Sequence, residues 1–345
     1  MEKELGFGVI GCGVITPWHI YGILHTKGAK LVAISDMVEE RAKKLAQENK
    51  VSWYSDYRKM LEREDIDVVN ICTPSGTHGE IAIEAAKAGK HIIVEKPMEI
   101  TLEKCDEMIS ACRKANVKLA TIFQSRFSPS VKRLKKAIDE GKFGKLVLGD
   151  MYNKWYRSQE YYDSGKWRGT WKLDGGGALM NQGIHGVDLL QYIMGPVDSL
   201  YAYAKTLTHK IEVEDTAVAV INFKSGALGV IEATTSVYPG FSRKLEIHGE
   251  KGTVIIEGED IIRWGFEGEE SEIKEIASKK KVDAAAKPTA MGKERHRVQI
   301  EEMVKAIKEN REPLVNGEEG RKAIEIISAI YKSSRTGKPV KFPLK

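Results

Sequence analysis

The first third of the chain carries the pattern that most restricts its fold. Short apolar runs alternate there with helix-length amphipathic ones. Leu5–Ile10 leads straight into Gly11-Cys12-Gly13-Val14-Ile15-Thr16-Pro17. Residues 30–35, 51–54, 67–72, 91–94 and 118–123 read as further strands, and 38–49, 57–63, 80–88 and 102–115 as the helices that separate them. Strands separated by helices need parallel crossovers, hence a parallel sheet with helices on both faces. Residues 1–123 are therefore expected to form an α/β doubly wound, dinucleotide-binding domain of the Rossmann type.

Ligands on such sheets lie beyond the carboxyl ends of the strands, which orders the loop residues along one rim. Gly11 and Gly13, in a loop with Val14 and Ile15, let the backbone approach a pyrophosphate at the start of the next helix. Thr16 is expected to cap that helix and Pro17 to occupy its first turn. Asp36 ends the second strand, where a carboxylate accepts hydrogen bonds from an adenosine ribose and repels a 2′-phosphate. NAD is thus expected over NADP; the alternative for Asp36 is a helix cap. Thr73, Pro74, His78, Glu95, Lys96 and Gln124 complete the expected cofactor rim, although His78 suits a helix cap equally well. Lys96 is held extended by Pro97 behind a buried strand. In a dry cleft or near a cationic nicotinamide its pKa falls, making it a candidate proton acceptor; its competing role is an exposed partner of Glu95.

A second organising stretch is Asp174-Gly175-Gly176-Gly177, followed by a helix-length run to about Met194. At about 100° per residue, Asn181, His185, Asp188 and Tyr192 share an arc of about 60°. The remaining positions are almost all apolar or Gly, so this polar stripe faces either a cleft or internal partners within a core.

Around that helix, residues 124–290 are expected to form an α+β substrate-binding and oligomerisation domain. A helix at 131–139 and an extended stretch at 146–156 precede the helix. Alternating runs at 199–207, 216–223, 228–236, 243–248, 253–257 and 261–264 follow it, joined by Gly-bearing turns. That pattern reads as an open, mostly antiparallel sheet. One sheet face should pack on the helix; the other needs a cover, for which a homodimer or homotetramer is expected. The segment from Trp155-Tyr156-Arg157 to Trp171 is rich in Trp, Tyr and Arg. Tyr156, Arg157 and Tyr238 are candidate substrate contacts, since aromatic faces and planar donors suit a sugar; they suit a protein interface too. Residues 277–293 read as a loop. In the C-terminal segment 291–345, two helices, near 294–310 and 318–333, are expected to return and brace the first domain.

Composition excludes other classes. The net charge is +5, from 54 Lys and Arg against 49 Asp and Glu, and it is scattered rather than gathered on one stripe. A nucleic-acid partner is therefore not expected, and Lys279-Lys280-Lys281 reads as a solvated loop. Cys12, Cys72, Cys105 and Cys112 lack metal-type spacing; no metal is expected, and unpaired thiols fit a reducing compartment. With no signal-type start and no apolar run of about 18 residues, a cytoplasmic protein without membrane contact is expected.

Together these motifs resemble the glucose–fructose oxidoreductase, inositol dehydrogenase and rhizopine-catabolism (Gfo/Idh/MocA) family of NAD(P)-dependent sugar dehydrogenases. The matching features are Gly11-x-Gly13, Glu95-Lys96-Pro97, Gln124-x-Arg126-Phe127, the Gly175 to Asp188 stretch and Glu212-Val213-Glu214-Asp215-Thr216. The resemblance implies hydride transfer between NAD and a ring secondary hydroxyl of a sugar, cyclitol, glycoside or nucleotide-linked sugar. It implies that Lys96 and His185 handle the proton, that Arg126 contacts substrate, and that Asp188 contacts substrate or orients the site. Inositol dehydrogenase-like members carry an aspartate four residues before the histidine, where this chain has Asn181. An amide orients an imidazole but cannot stabilise its cation by charge, so Lys96 takes more of the acid–base work here. Trp167-Arg168-Gly169-Thr170-Trp171 resembles members that act on nucleotide-linked amino-sugar uronates or on glycosides oxidised at carbon 3. Two further functions occur on this scaffold: an NAD-dependent glycosidase with transient carbon-3 oxidation, and a non-catalytic NAD or sugar sensor.

Overall fold

The structure is a computed structural model that describes residues 3–273 and 292–344. Most of the expected loop, with Lys279–Lys281, lies outside the described residues. The chain divides into two compact units, residues 1–124 with 292–321 and residues 125–291 with 322–345.

In the first unit the elements alternate as β1 (Leu5–Ile10), α1 (Thr16–Leu24), β2 (Ala29–Ser35), α2 (Glu39–Asn49), β3 (Ser52–Tyr54) and α3 (Tyr57–Leu61). They continue as β4 (Val68–Ile71), α4 (His78–Lys87), β5 (His91–Val94), α5 (Leu102–Ala115) and β6 (Leu119–Thr121). The six strands pair in the order β3-β2-β1-β4-β5-β6, every pair parallel. The order reverses between β1 and β4, and a dinucleotide site forms at such a reversal. Phe7, Val9, Ile34, Val68 and Ile93 fill the core together with Ile300, Met303 and Val304 of α9 (Glu294–Lys308). Each such side chain, fully buried, contributes about 1.5–3 kcal/mol.

The second unit opens with α6 (Pro129–Asp139), β7 (Leu146–Lys154), α7 (Gln159–Asp163) and α8 (Ile184–Met194). Strands β8 (Val197–Lys205), β9 (Thr216–Phe223), β10 (Leu228–Thr234), β11 (Lys244–Gly249), β12 (Gly252–Glu257), β13 (Asp260–Phe266) and β14 (Glu272–Ile273) follow. After α10 (Gly317–Thr336), the short β15 (Val340–Lys341) joins a sheet that has nine strands among the described residues, in the order β14-β13-β12-β11-β7-β10-β9-β8-β15. Among the described strands of this sheet only the β7–β10 pair is parallel. The two-residue period is plain in β9: Ala217, Ala219, Ile221 and Phe223 are buried, while Val218 and Val220 face outward at 45% and 55% exposure. The inner face carries α8, with Leu190 and Met194 against Gly149 of β7 and Met151 against Gly186 of the helix.

The expectation that both C-terminal helices brace the first domain needs correcting. Helix α9 does so, but α10 leaves that unit at Lys322. Ser333 and Ser334 accept bonds from Ala202 N and Ala204 N, so hydroxyls on α10 satisfy backbone donors of β8 in the second unit. No helix among the described residues is long and apolar enough to cross a membrane.

Candidate active site

The first unit presents its rim at the carboxyl ends of β1, β2, β4 and β5. Gly11 adopts φ +98, and a Cβ there would lie 2.7 Å from Cys72 O, so only glycine fits where the β1 and β4 loops meet. Thr16 does not cap α1 as expected. Its hydroxyl donates to Gly11 O at 2.7 Å, tying the loop, and α1 starts with no side-chain cap. Thr16 N donates to Gly13 O at 3.3 Å and Trp18 N to Ile15 O at 2.9 Å, and Pro17 has no N–H, so an anion here would meet the Gly13–Ile15 loop ahead of α1, where Val14 is 61% exposed. Asp36 accepts from Cys12 N at 2.7 Å and Val38 N at 2.8 Å, which holds its carboxylate at the end of β2; Val38, not Asp36, occupies the N-cap of α2. The Gly11 loop and the fixed Asp36 carboxylate fit a dinucleotide.

Two members of the expected rim are turned inward. His78 is 1% exposed, each ring nitrogen 2.9 Å from a backbone carbonyl, Thr73 O and Pro97 O. It pins the two loops together instead of facing a ligand. Glu95 is 6% exposed, with Oε1 2.8 Å from His19 Nε2 and Oε2 accepting from Lys96 N at 3.1 Å. Pro74 leads into a short turn, Ser75–Thr77, and Gln124 begins another, Gln124–Phe127.

Ligand-type atoms of His19, Glu95 and His296 lie within 4.8 Å of one another. The 2.8 Å between His19 and Glu95 is a hydrogen bond. Two ligands on a tetrahedral ion with bonds of about 2.0–2.1 Å stand about 3.3 Å apart.

In the second unit the site is built on the helix after the Gly run. It starts as a π-helical turn, Ala178–Gly183, and continues as α8. The start is held by Glu214, whose carboxylate accepts from Gly177 N at 3.0 Å, Leu179 N at 2.8 Å and Tyr331 Oη at 2.9 Å. A Cβ on Gly177 would lie 1.9 Å from Glu214 O, which explains the glycine. Burial pushes the Glu214 carboxyl up to about 7, against the pull of those three donors. An unfolded glutamate titrates near about 4.3. The native state therefore holds this proton over the interval, and stability falls as pH rises from about 4.3 to about 7, by about 4 kcal/mol. Glu214→Gln should flatten that slope in urea-unfolding free energies measured across the interval; an unchanged slope would assign it to another group.

The polar stripe is real, and two of its members are paired with residues of the second unit that lie off the stripe. Asp188, 1% exposed, accepts from Arg126 Nε at 2.9 and 3.1 Å and from Nη2 at 2.6 Å. The guanidinium also lies 4.4 Å from the centre of the Tyr192 ring. Asn181 Nδ2 donates to Asp174 Oδ1 at 2.7 Å, and Asp174 Oδ2 accepts from Gly169 N at 2.9 Å. His185, 6% exposed, stands one turn beyond Asn181.

A cluster that sequence reasoning only partly located lies beside this helix. Arg157, 3% exposed, donates to Tyr156 O at 2.7 Å and Gln182 Oε1 at 3.2 Å. Gln182 Nε2 donates to Tyr161 Oη at 2.8 Å, as does Arg168 Nη1 at 2.6 Å. The Arg157 and Arg168 guanidiniums lie 5.4 and 4.3 Å from the Tyr161 ring. Tyr156 meets the exposed Tyr238 edge-on at 5.2 Å. Asp174, Tyr161, Gln182, Glu214, His19 and His296 were not expected as site residues. Asp174 directly before three glycines, and Glu214 inside the Glu212–Thr216 motif, were the available signals.

A doubly wound sheet with a dinucleotide rim, joined in one chain to an open-sheet domain with a His/Asp helix, defines a two-domain oxidoreductase. The chain belongs to the Gfo/Idh/MocA oxidoreductase family. Residues 5–123 match its NAD-binding Rossmann fold and residues 135–342 its C-terminal alpha/beta domain. The myo-inositol 2-dehydrogenase of Thermotoga maritima is 31% identical over 344 residues, 97% of each protein. The WlbA dehydrogenase of Bordetella pertussis, in complex with NADH and UDP-GlcNAcA, is 36% identical with a TM-score of 0.89, over 99% of this chain and 100% of that one. A levoglucosan dehydrogenase in complex with NADH and levoglucosan is 25% identical with a TM-score of 0.88, over 99% and 100%.

Proposed function

We propose that this chain is an NAD-dependent dehydrogenase acting on a ring secondary hydroxyl, at carbon 3, of a nucleotide-linked uronate sugar. The observation that carries the reading is the cluster of Arg157, Arg168, Tyr161 and Gln182. Two guanidiniums around an aromatic ring suit a sugar that bears a carboxylate and phosphates. Cyclitols and simple glycosides carry no anion for them. The likeness to a dehydrogenase solved with UDP-GlcNAcA supports the same substrate class.

Bound NAD supplies a hydride acceptor. Lys96 Nζ accepts the hydroxyl proton, His185 assists it, and Asp174 orients the Asn181 amide on the same helix. Arg126 and Asp188 act on substrate as a pair, and Tyr156 and Tyr238 offer ring faces to the sugar. The test is NAD reduction by the purified protein with UDP-N-acetylglucosaminuronate, its neutral UDP-N-acetylglucosamine counterpart, myo-inositol and methyl glucoside. Equal rates with the uronate and the neutral nucleotide sugar would remove the uronate. Cleavage of the glycoside without accumulating NADH would point to the glycosidase.

NAD rather than NADP follows from the fixed Asp36 carboxylate. Asp36→Ala should weaken NAD binding roughly 10- to 100-fold, the loss of a charged hydrogen bond of about 1.5–3 kcal/mol, and raise the NADP-to-NAD ratio of kcat/KM. An unchanged ratio would return Asp36 to a purely structural role.

The outer sheet face supports a homo-oligomer. Tyr203 stands opposite Val218, and Val220 opposite Tyr201 and Val230, on one face with Leu228; Tyr203, Val218, Val220 and Leu228 are 45–58% exposed. Val218→Lys with Val220→Lys should give a smaller species by light scattering at unchanged helix content.

A further inference from the structure

Glu95 stands at the end of β5, directly before Lys96, and a buried carboxylate persists only where donors surround it. Its donors come from separate segments. His19 of α1 places Nε2 2.8 Å from Oε1, and His19 is itself oriented by Asn70 of β4, whose Nδ2 lies 2.8 Å from its Nδ1. Lys96 N lies 3.1 Å from Oε2. His296, in the first turn of α9, places Nε2 3.4 Å from Oε1, and its ring meets that of His19 edge-on at 5.5 Å.

We propose that His296 is a positioning residue for Lys96: with His19 it clamps the Glu95 carboxylate, and the clamp fixes the backbone from which the Lys96 side chain departs. Burial alone would raise the Glu95 carboxyl, but the two imidazoles outweigh it and hold the group anionic. Burial keeps His296 below its ordinary value, hence a neutral donor. Arg295 and Cys72 are the other titratable groups acting on this cluster. His296 is 1% exposed, yet among the described residues neither ring nitrogen meets hydrogen-bond geometry. An apolar side chain would fill that position at lower cost, so packing does not account for an imidazole there. At 3.4 Å from Glu95, a small movement closes the remaining bond, as catalytic hydrogen bonds commonly tighten when ligands bind.

The inference rests on Lys96 being the proton acceptor. Its test is steady-state kinetics and pH–rate profiles of His296→Ala, His296→Gln and Lys96→Met, with NAD binding followed by fluorescence. His296→Ala should lower kcat roughly 10- to 100-fold, the cost of misplacing a reacting group, with KM near normal and the acidic limb of the profile displaced. His296→Gln keeps an N–H at similar reach and should restore most of kcat. Normal kcat and pH profile in His296→Ala, with Lys96→Met inactive, would overturn this proposal alone. So would His296→Gln and His296→Ala being equally slow. Full activity of Lys96→Met would instead overturn the assignment of Lys96.

Discussion

Lys96→Met is expected to lower kcat by about 10²–10⁴-fold, the usual contribution of a positioned proton acceptor, while NAD still binds. Methionine keeps the length and apolar character of the lysine stem, so the rim at β5 should keep its shape. Several contacts that hold this rim do not use the Lys96 side chain. The Glu95 carboxylate is engaged by His19 and by the backbone N–H of Lys96, and His78 joins the Thr73 and Pro97 carbonyls. Turnover at the wild-type rate, with NAD titrating normally, would show that the proton leaves by another route, with His185 the next to test.

The second large effect is on stability. Arg126 is 6% exposed and Asp188 1%, and three N–H···O contacts join them. Arg126→Met leaves a buried carboxylate without its guanidinium, which costs about 3–5 kcal/mol. The melting temperature should fall by roughly 10 °C for a unit of this size. Arg126→Met with Asp188→Leu should recover much of that loss, because replacing both charges removes the stranded carboxylate. A single variant with an unchanged melting point and a raised substrate KM would make Arg126 primarily a substrate ligand.

Much of this protein was legible in its residues because the signals are local. The two-residue period of β9 and the helix-and-strand rhythm before Phe123 report burial within one element. Gly11 reports a backbone that no side chain permits, and Gly177 a backbone approach that leaves no room for one. His185 on an apolar helix after a Gly run already marked that helix as the centre of the second domain. The inward turn of Glu95 and His78 could not be read in the same way. Their partners, His19 of α1 and the carbonyls of Thr73 and Pro97, lie on other segments, and His19 is 76 residues from Glu95.

The amino-acid order by itself determined the strand–helix alternation, the glycine-bounded loops and which residues are chemically able to move a proton. Those follow from backbone sterics and from periodic burial, which act over a few residues. The tertiary structure decided the pairings. Arg126 took Asp188 from 62 residues away, Asp174 took Asn181, Glu214 became the cap of the central helix, and α10 crossed to β8. A buried polar group must find a donor or acceptor wherever the packed chain supplies one, and that choice is made by packing rather than by position along the chain.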